Sequence, residues 1–395
     1  MSASNKISGA DEKRLVLLPE KEEKLRLSKI RNSMAMLGIE NGLITSNSTK
    51  YYLTGRVFFG YILILPDSVV HYVRRPVELD GDSVIYIRKP EEMASIHGPV
   101  ALELDQLSYN DVIRLAKVFD EKEPHNLSPA ISMARAVKTG LEIDMIAESG
   151  HVQDAVYRKI PGLYEQGMSD IEFQIEIERA SRLAGCLGQF RIAGDSMELF
   201  MGNVLAGDNA DSPSPYDFAM GGAGMNPSIP VGADGTIIKK GMSVMVDVNG
   251  NYTGYMTDMT RVFKAGSISA IAEKAQICSI DIHRLLQKEC KPGIKASDLY
   301  AMALEMVKDR GLESYYMGHR QHAGFIGHGV GIEINELPVI APRSRDVIQK
   351  NNVLALEPKF VIPGTGAVGI ENTYVVEENG MRCLTSAPEE IIDLF

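Results

Sequence analysis

No apolar run in these 395 residues approaches the roughly 20 that a membrane-spanning helix needs, and the first residues, MSASNKISGADEKR, have no apolar core of the kind a secretory leader carries. Cysteine is scarce. Cys186, Cys278, Cys290 and Cys383 stand far apart with no CxxC pair, which argues against a disulfide framework or a thiolate metal site and for free thiols in a reducing compartment. Positive charge is also short. The 41 Lys and Arg against 52 Asp and Glu give −11, with no basic stripe to neutralise phosphates, so nucleic acid is excluded as a partner. No internal repeat, no P-loop and no GxSxG elbow is present. Together these absences predict a cytoplasmic protein that engages neither membrane nor nucleic acid.

What is present is an ordinary globular composition, 45% hydrophobic and 24% charged, at a length that favours two domains. A core of that size needs no disulfide or structural metal to hold it. Leu27, Ile30, Met34 and Leu37 share one face of a 3.6-residue period and predict a helix after Pro19 that stops at Gly38. Apolar runs at 42–45, 61–65 and 83–87, bounded by Pro, Asp and Gly, predict strands of a small α/β domain. That domain ends near the polar stretch 121–126.

The second half opens with a helix over 141–158 and another whose start, Ser169-Asp170-Ile171-Glu172, reads as a capping box. From about residue 200 to 264 the pattern is strands and tight turns. Helices follow at 268–290, stopped by Lys291-Pro292-Gly293, and at 297–310, capped by Ser297 and ended at Gly311. Residues 320–395 are again strand-rich. Strands, two helices and strands fit a curved antiparallel sheet with helices on one face, an α+β arrangement.

The chemistry lies in acids embedded in apolar strands. Asp247 interrupts the run 244–248, and burying a lone carboxylate costs several kcal/mol unless it is paired or metal-bound. Asn249-Gly250 predicts a hairpin that returns through Asp258, so the two carboxylates could lie side by side with a cation between them. His328 stands between Gly327 and Gly329, which lets the backbone approach a ligand closely. Glu357 ends the run 353–356, and Glu371 lies inside 367–376. An isolated Asp is more often a turn residue or an ion-pair partner, and an isolated His more often a satisfied core residue. Four embedded acids and one glycine-flanked His are jointly harder to explain that way. Mostly oxygen ligands suit Mn, Zn, Co or Fe, and bridging carboxylates would set two ions about 3.5 Å apart. The match of 364–369 to GxGxxG is a decoy, because a strand rather than a helix follows it.

These stretches resemble the pita-bread metallohydrolases, a group that includes prolidase, aminopeptidase P, methionine aminopeptidase and creatinase. The resemblance rests on Asp247 through Thr260-Arg261, on Gly327-His328-Gly329-Val330-Gly331, on Leu356-Glu357-Pro358 and on Gly369-Ile370-Glu371. It extends through Lys50-Tyr51-Tyr52-Leu53-Thr54-Gly55 in the first half. It implies a creatinase-like N-terminal α/β domain at 1–130 and a pita-bread catalytic domain at 131–395. It further implies two divalent metal ions: Asp247 chelates one, Asp258 and Glu371 bridge, and His328 and Glu357 serve the second. A hydroxide between the ions would attack the scissile carbonyl, with Glu357 shuttling the proton. The substrate class implied is a short peptide cleaved near its N-terminus at an Xaa-Pro bond, and the assembly implied is a homodimer.

The outer shell departs from that pattern. A second His is usual seven residues after the metal-binding one, and here that position is Asn335. Another is usual four residues before it, where Gly324 stands; His322, two residues earlier, is its candidate substitute. No His occurs in 225–230, and Gly369 replaces a common Arg. Losing one donor to a developing oxyanion costs on the order of 10²–10³ in rate, which Asn335 can offset with a neutral hydrogen bond. Two further readings follow from these losses. One is a hydrolase or lyase of a non-peptide small molecule on the same scaffold, and the other is a metal-binding protein with little catalysis.

Overall fold

The structure is a computed structural model that describes residues 12–94, 96, 98–188, 191–192, 201–216 and 218–395. Most of the polar N-terminal segment read above lies outside the described residues. The chain clusters into two compact units, divided between Arg135 and Ala136.

In the smaller unit, helix α1 (Glu20–Met36) starts directly after Pro19. Ile30 and Met34 are buried as the period requires, but Arg26 and Ser33 complete the buried face, while Leu37 is exposed beyond the helix end. A second helix, α2 (Asn47–Thr54), is capped by the Ser46 side chain. Helices α3 (Tyr109–Val118) and α4 (Ser128–Ala136) close the unit's sequence. Its sheet holds β1 (Asn41–Ile44), β2 (Phe59–Ile64), β3 (Val69–Arg75), β4 (Val84–Tyr86) and β5 (Val100–Leu102) in the order β4-β3-β2-β1-β5. Strands β1, β2 and β4 fall on the three apolar runs. Strand β3 was not anticipated, because His71 and two arginines blur its pattern, nor was the three-residue β5.

The larger unit begins with α5 (Gly140–Tyr157) and α6 (Asp170–Leu183), both started by complete capping boxes, at Thr139 and Ser169. Strands β6 (Gly202–Ala206), β7 (Ser243–Val248) and β10 (Thr260–Lys264), with β18 (Ile392–Asp393), form a sheet in the order β18-β10-β7-β6. A second sheet, in the order β12-β11-β13-β16-β17, holds β11 (Gly327–Gly329), β12 (Glu336–Ile340), β13 (Val353–Leu356), β16 (Asn372–Glu377) and β17 (Gly380–Cys383). Two ribbons complete the set: β8 (Gly250–Asn251) with β9 (Met256–Thr257), and β14 (Lys359–Ile362) with β15 (Gly366–Gly369). All these pairings are antiparallel except β10 with β18. Helices α7 (Ala270–Glu289) and α8 (Ala296–Asp309) pack on each other, and α7 covers β14, β15 and β17. Their apolar faces meet Leu354, Phe360, Val368 and Val376 in one buried cluster. This is the expected α+β fold.

Two local expectations fail for physical reasons. Ser297 is not a cap: α8 begins one residue earlier, with Lys295 in the cap position and no side-chain bond there. Asn249-Gly250 is not the hairpin turn. Asn249 is buried and bonds the Met201 carbonyl at 2.6 Å, while a Cβ on Gly250 would stand 2.5 Å from the Thr257 hydroxyl and 2.8 Å from the Gln153 amide. That glycine serves close packing on α5. The chain reverses at 252–255, where Gly254 takes φ +91°.

Candidate metal centre

The larger unit brings Asp247, Asp258, His328, Glu357 and Glu371 to one place, and the ladders explain how. Strands β13 and β16 pair from Leu356↔Asn372 onward, and β14 and β15 pair from Lys359↔Gly369 onward. Between those pairs both chains step from one sheet element to the other in two residues, Glu357-Pro358 on one side and Ile370-Glu371 on the other. The two glutamates therefore sit at a shared seam, both nearly inaccessible. On the facing sheet, Asp247 pairs with Thr260 across β7 and β10. Asp258 precedes β10 in the stretch after β9, so it is not the cross-strand partner of Asp247. Its backbone N–H donates to the Thr373 hydroxyl at 2.9 Å, and that hydroxyl donates to the Asp258 carbonyl at 2.9 Å.

His328 lies on β11, between Val339 of β12 and Ala355 of β13. Its flanking glycines are explained by neighbouring strands rather than by a ligand. A Cβ on Gly327 would fall 2.5 Å from the Ala355 carbonyl oxygen, and one on Gly329 would fall 2.1 Å from that of Leu337. The imidazole Nδ1 is 3.0 Å from the Gly329 carbonyl, which calls for the proton on Nδ1 and leaves the Nε2 lone pair facing inward. Nε2 is 3.5 Å from Glu357 Oε1 and 3.9 Å from Asp258 Oδ2.

The donors form two groups, each with its ligand atoms within 4.8 Å of one another. Asp258, His328 and Glu371 make one, and Asp247, Glu357 and Glu371 make the other. Glu371 is common to both, the bridging position. Asp258 joins only the first group and Glu357 only the second, although Glu357 also faces His328. Burial, then the charges of Glu371, Asp247 and Glu357, push the Asp258 carboxyl far above its usual range. Burial and the Glu357 charge raise Glu371 to about 8. For His328, burial is outweighed by the Glu357 and Glu371 carboxylates that its ring faces, so its pKa rises. Such mutual repulsion is relieved by cations.

Whether cations fit differs between the groups. In the first, Glu371 Oε1 is buried and has no hydrogen-bond partner among the described residues. Its other oxygen accepts from Thr260 Oγ1 at 2.8 Å. An orphaned buried carboxylate oxygen beside an inward imidazole lone pair and Asp258 is a fitting set for one divalent ion. The second group is already filled. Lys359, the first residue of β14, puts its ammonium 2.8 Å from Asp247 Oδ2, 2.8 Å from Glu357 Oε2 and 3.1 Å from Glu371 Oε2, with its side chain wholly inaccessible. Burial would disfavour that ammonium, but the three carboxylates override it and hold its pKa well above the ordinary lysine value. In turn, against the effect of burial, Lys359 and His328 hold Glu357 at about 2. A second ion does not fit where the ammonium sits.

Lys359 was missed by sequence reading, although its signal was the one used for Asp247: a charge opening the apolar run Phe360-Val361-Ile362. The supporting residues were missed too. Gln276, Ser279 and His283, at helical spacing on buried α7, take the backbone of Gly369 and Ile370. Arg261 bonds the Glu371 carbonyl at 2.8 Å. Lys138 and Glu336 form a buried ion pair at 2.9 Å. Asn335 is half-buried at the entry to β12, next to the Gly329↔Glu336 pair. His322 is exposed, its Nδ1 lies 2.9 Å from the Tyr316 carbonyl, and neither donor group includes it. The GxGxxG stretch is the β14–β15 turn and strand, followed by β16.

A cluster of four acids and a histidine gathered by mainly antiparallel strands in an α+β unit is the arrangement of a metallohydrolase of the pita-bread class. Residues 144–378 match the model of metallopeptidase family M24, and residues 26–137 match the creatinase/prolidase N-terminal domain. The chain belongs to metallopeptidase family M24, whose substrates are peptides. It is 26% identical to the uncharacterized peptidase YqhT of Bacillus subtilis, over 94% of this chain and 100% of that one. It is also 26% identical to a Xaa-Pro dipeptidase of Pyrococcus horikoshii, over 93% and 98%. Among solved structures, a Xaa-Pro dipeptidase from Bacillus anthracis superposes with a TM-score of 0.79 at 23% identity, covering 94% of this chain and 99% of the other.

Proposed function

We propose that this chain is a metal-dependent peptidase that cleaves Xaa-Pro bonds near the N-terminus of short peptides. Residues 131–395 would be the catalytic domain and 1–130 an N-terminal domain, in a cytoplasmic homodimer. The metal-facing set is Asp247, Asp258, His328, Glu357 and Glu371, and its oxygen-rich composition suits Mn, Co, Zn or Fe. The observation that carries this reading is the buried Glu371 Oε1, without a partner among the described residues, beside the inward Nε2 of His328 and the Asp258 carboxylate. The Xaa-Pro preference rests on what similar proteins are named for.

A bound divalent ion supplies Lewis acidity, bringing the pKa of water toward neutrality. The chain's own residues do the rest. Thr260 orients one oxygen of Glu371, and α7 with Arg261 fixes the backbone on either side of it. Glu357 is kept ionised and so can accept a proton, but weakly, because an acceptor works best with its pKa near the working pH. Asn335 is assigned a neutral hydrogen bond to the substrate carbonyl.

The same scaffold acting on a non-peptide small molecule is the second reading. It is favoured by Lys359 within the acid cluster, together with the absence of histidine at 324 and 335. A screen of Xaa-Pro dipeptides and longer Xaa-Pro peptides with Mn, Co and Zn decides between them. Chelator-sensitive release of the N-terminal residue is expected, and no release from any peptide with any ion rejects the peptidase reading. Asp258→Ala and Glu371→Ala should each lose bound metal. Unchanged metal content in both would reject the site.

A further inference from the structure

We infer that the Lys359 ammonium permanently occupies one of the two cation positions of this centre, so that the protein holds one divalent ion per chain, at Asp258, His328 and Glu371. The inference rests on the metal-dependent reading above and narrows it.

An ammonium group has three N–H donors and no acceptor. Each of the three donors of Lys359 has a carboxylate oxygen within hydrogen-bond distance, and the oxygens come from three chain segments: β7, the β13–β14 step and the β15–β16 step. That is a complete coordination of a cation, made from the same oxygens that would otherwise surround a metal. Metal–oxygen bonds in such sites are about 2.0–2.2 Å, so an ion among these three oxygens would overlap the ammonium nitrogen. One cation must exclude the other.

Nor can the lysine step aside. Its side chain is entirely inaccessible. Its backbone is fixed at both faces, with its carbonyl accepting from Met317 N–H at 2.8 Å and its Cα paired with Gly369 across β14–β15. That pair is tight, since a Cβ on Gly369 would lie 2.9 Å from the Lys359 Cα. Swinging the side chain outward would require opening the ribbon, while leaving three carboxylates without the cation they share.

The remaining position is unaffected by this replacement. Glu371 gives Oε2 to Lys359 and keeps Oε1 without a partner among the described residues. Four carboxylates against one ammonium leave a formal charge of −3 in a nearly closed site, which one divalent ion brings to −1. The ammonium thus performs the structural part of a metal's work, holding Asp247, Glu357 and Glu371 together. It cannot accept an electron pair from water or a carbonyl oxygen. The electrophilic part of the reaction therefore falls on a single ion.

The test is metal stoichiometry. Wild-type protein stripped with chelator and then dialysed against excess Mn²⁺ should hold one ion per chain by elemental analysis. Its electron paramagnetic resonance spectrum should be the six-line pattern of an isolated Mn²⁺ ion. Lys359→Gly, which vacates the position and keeps the backbone, should hold two ions and show exchange coupling. Two coupled ions in the wild type would overturn the inference while leaving the metal-dependent reading intact. A folded Lys359→Gly that still holds one ion would also overturn it. No ion in either protein would overturn the metal-dependent reading itself. The wild-type spectrum decides the matter even if the variant does not fold.

Discussion

Arg261→Met should both destabilise the larger unit and weaken its grip on metal. All five N–H donors of Arg261 are spent, on the carbonyls of Thr260, Glu371 and Ala387, the last twice, and on the Asn372 side chain, at 2.7–3.1 Å. The residue is 3% exposed, so water cannot replace these bonds when the guanidinium is removed. A hydrogen bond from a charged group contributes about 1.5–3 kcal/mol, and each orphaned buried acceptor costs about 1–3 kcal/mol. These terms overlap, and breaking a buried charged network costs about 3–5 kcal/mol in total. For a domain of this size, about 2–4 °C of Tm is lost per kcal/mol, so thermal unfolding should fall by roughly 6–20 °C. Because one of the lost bonds anchors the peptide of Glu371, ion affinity should fall about 10–100-fold, the usual cost of removing an outer support. Differential scanning fluorimetry and titration with Mn²⁺ read the two effects. Arg261→Lys, with three donors instead of five, should fall between. A Tm within about 2 °C of wild type, with unchanged ion affinity, would refute the claim that Arg261 positions Glu371.

Three further outcomes are expected. Gly329→Ala should be strongly destabilising, by about 1–3 kcal/mol or more, because its Cβ meets the Leu337 carbonyl at 2.1 Å, whereas Gly324→Ala meets nothing within 4 Å and should keep the wild-type Tm; equal Tm values for the two variants would reject this account. Burial depresses His71 to about 4 and His283 to about 3, so both favour the neutral ring in the fold. Their contribution is present above the unfolded pKa near 6.5 and is lost as pH falls toward 4, by up to about 1.4 kcal/mol per pH unit for each. His283→Gln should therefore flatten the acid limb of Tm against pH, and an unchanged limb would count against it. Asn335→Ala should lower kcat with metal content intact and Asn335→His should raise it, since charge-assisted bonds are about twice as strong as neutral ones; wild-type kinetics in both would remove Asn335 from the chemistry.

The elements most legible in the sequence were those fixed by local chemistry. The capping box at Ser169 and the breaks at Gly38 and Pro292 mark helix ends because a few neighbouring atoms decide them. Asp247, Glu357 and Glu371 stood out as candidate ligands because a charge in an apolar run has few explanations, and the structure gathers them with Asp258 and His328. What was not legible depends on long-range contact. Asn249-Gly250 has turn chemistry, yet Gln153 of the distant helix α5 presses against Gly250, which also lies tight against Thr257 across the β8–β9 ribbon, and this packing overrides it. The glycines around His328 read as room for a ligand, but neighbouring carbonyls fill that room. Lys359 shows the same limit, since nothing local to residues 357–362 reveals that three carboxylates converge on its Nζ.

The seam where two strands pass together from one ribbon to the next, keeping each other as partners and in one register, separates two properties that ordinarily vary together. The spacing of Glu357 and Glu371 is set by ladder registers on either side, Leu356↔Asn372 and Lys359↔Gly369, and moving one carboxylate relative to the other would mean slipping both ladders. The ladder fixes the backbone of residue 359 but not which side chain that residue carries. A single substitution at position 359 can therefore exchange an organic cation for an inorganic one, or the reverse, while the carboxylates stay where the backbone holds them. Descendants of one scaffold could in this way differ in their dependence on metal supply without differing in fold.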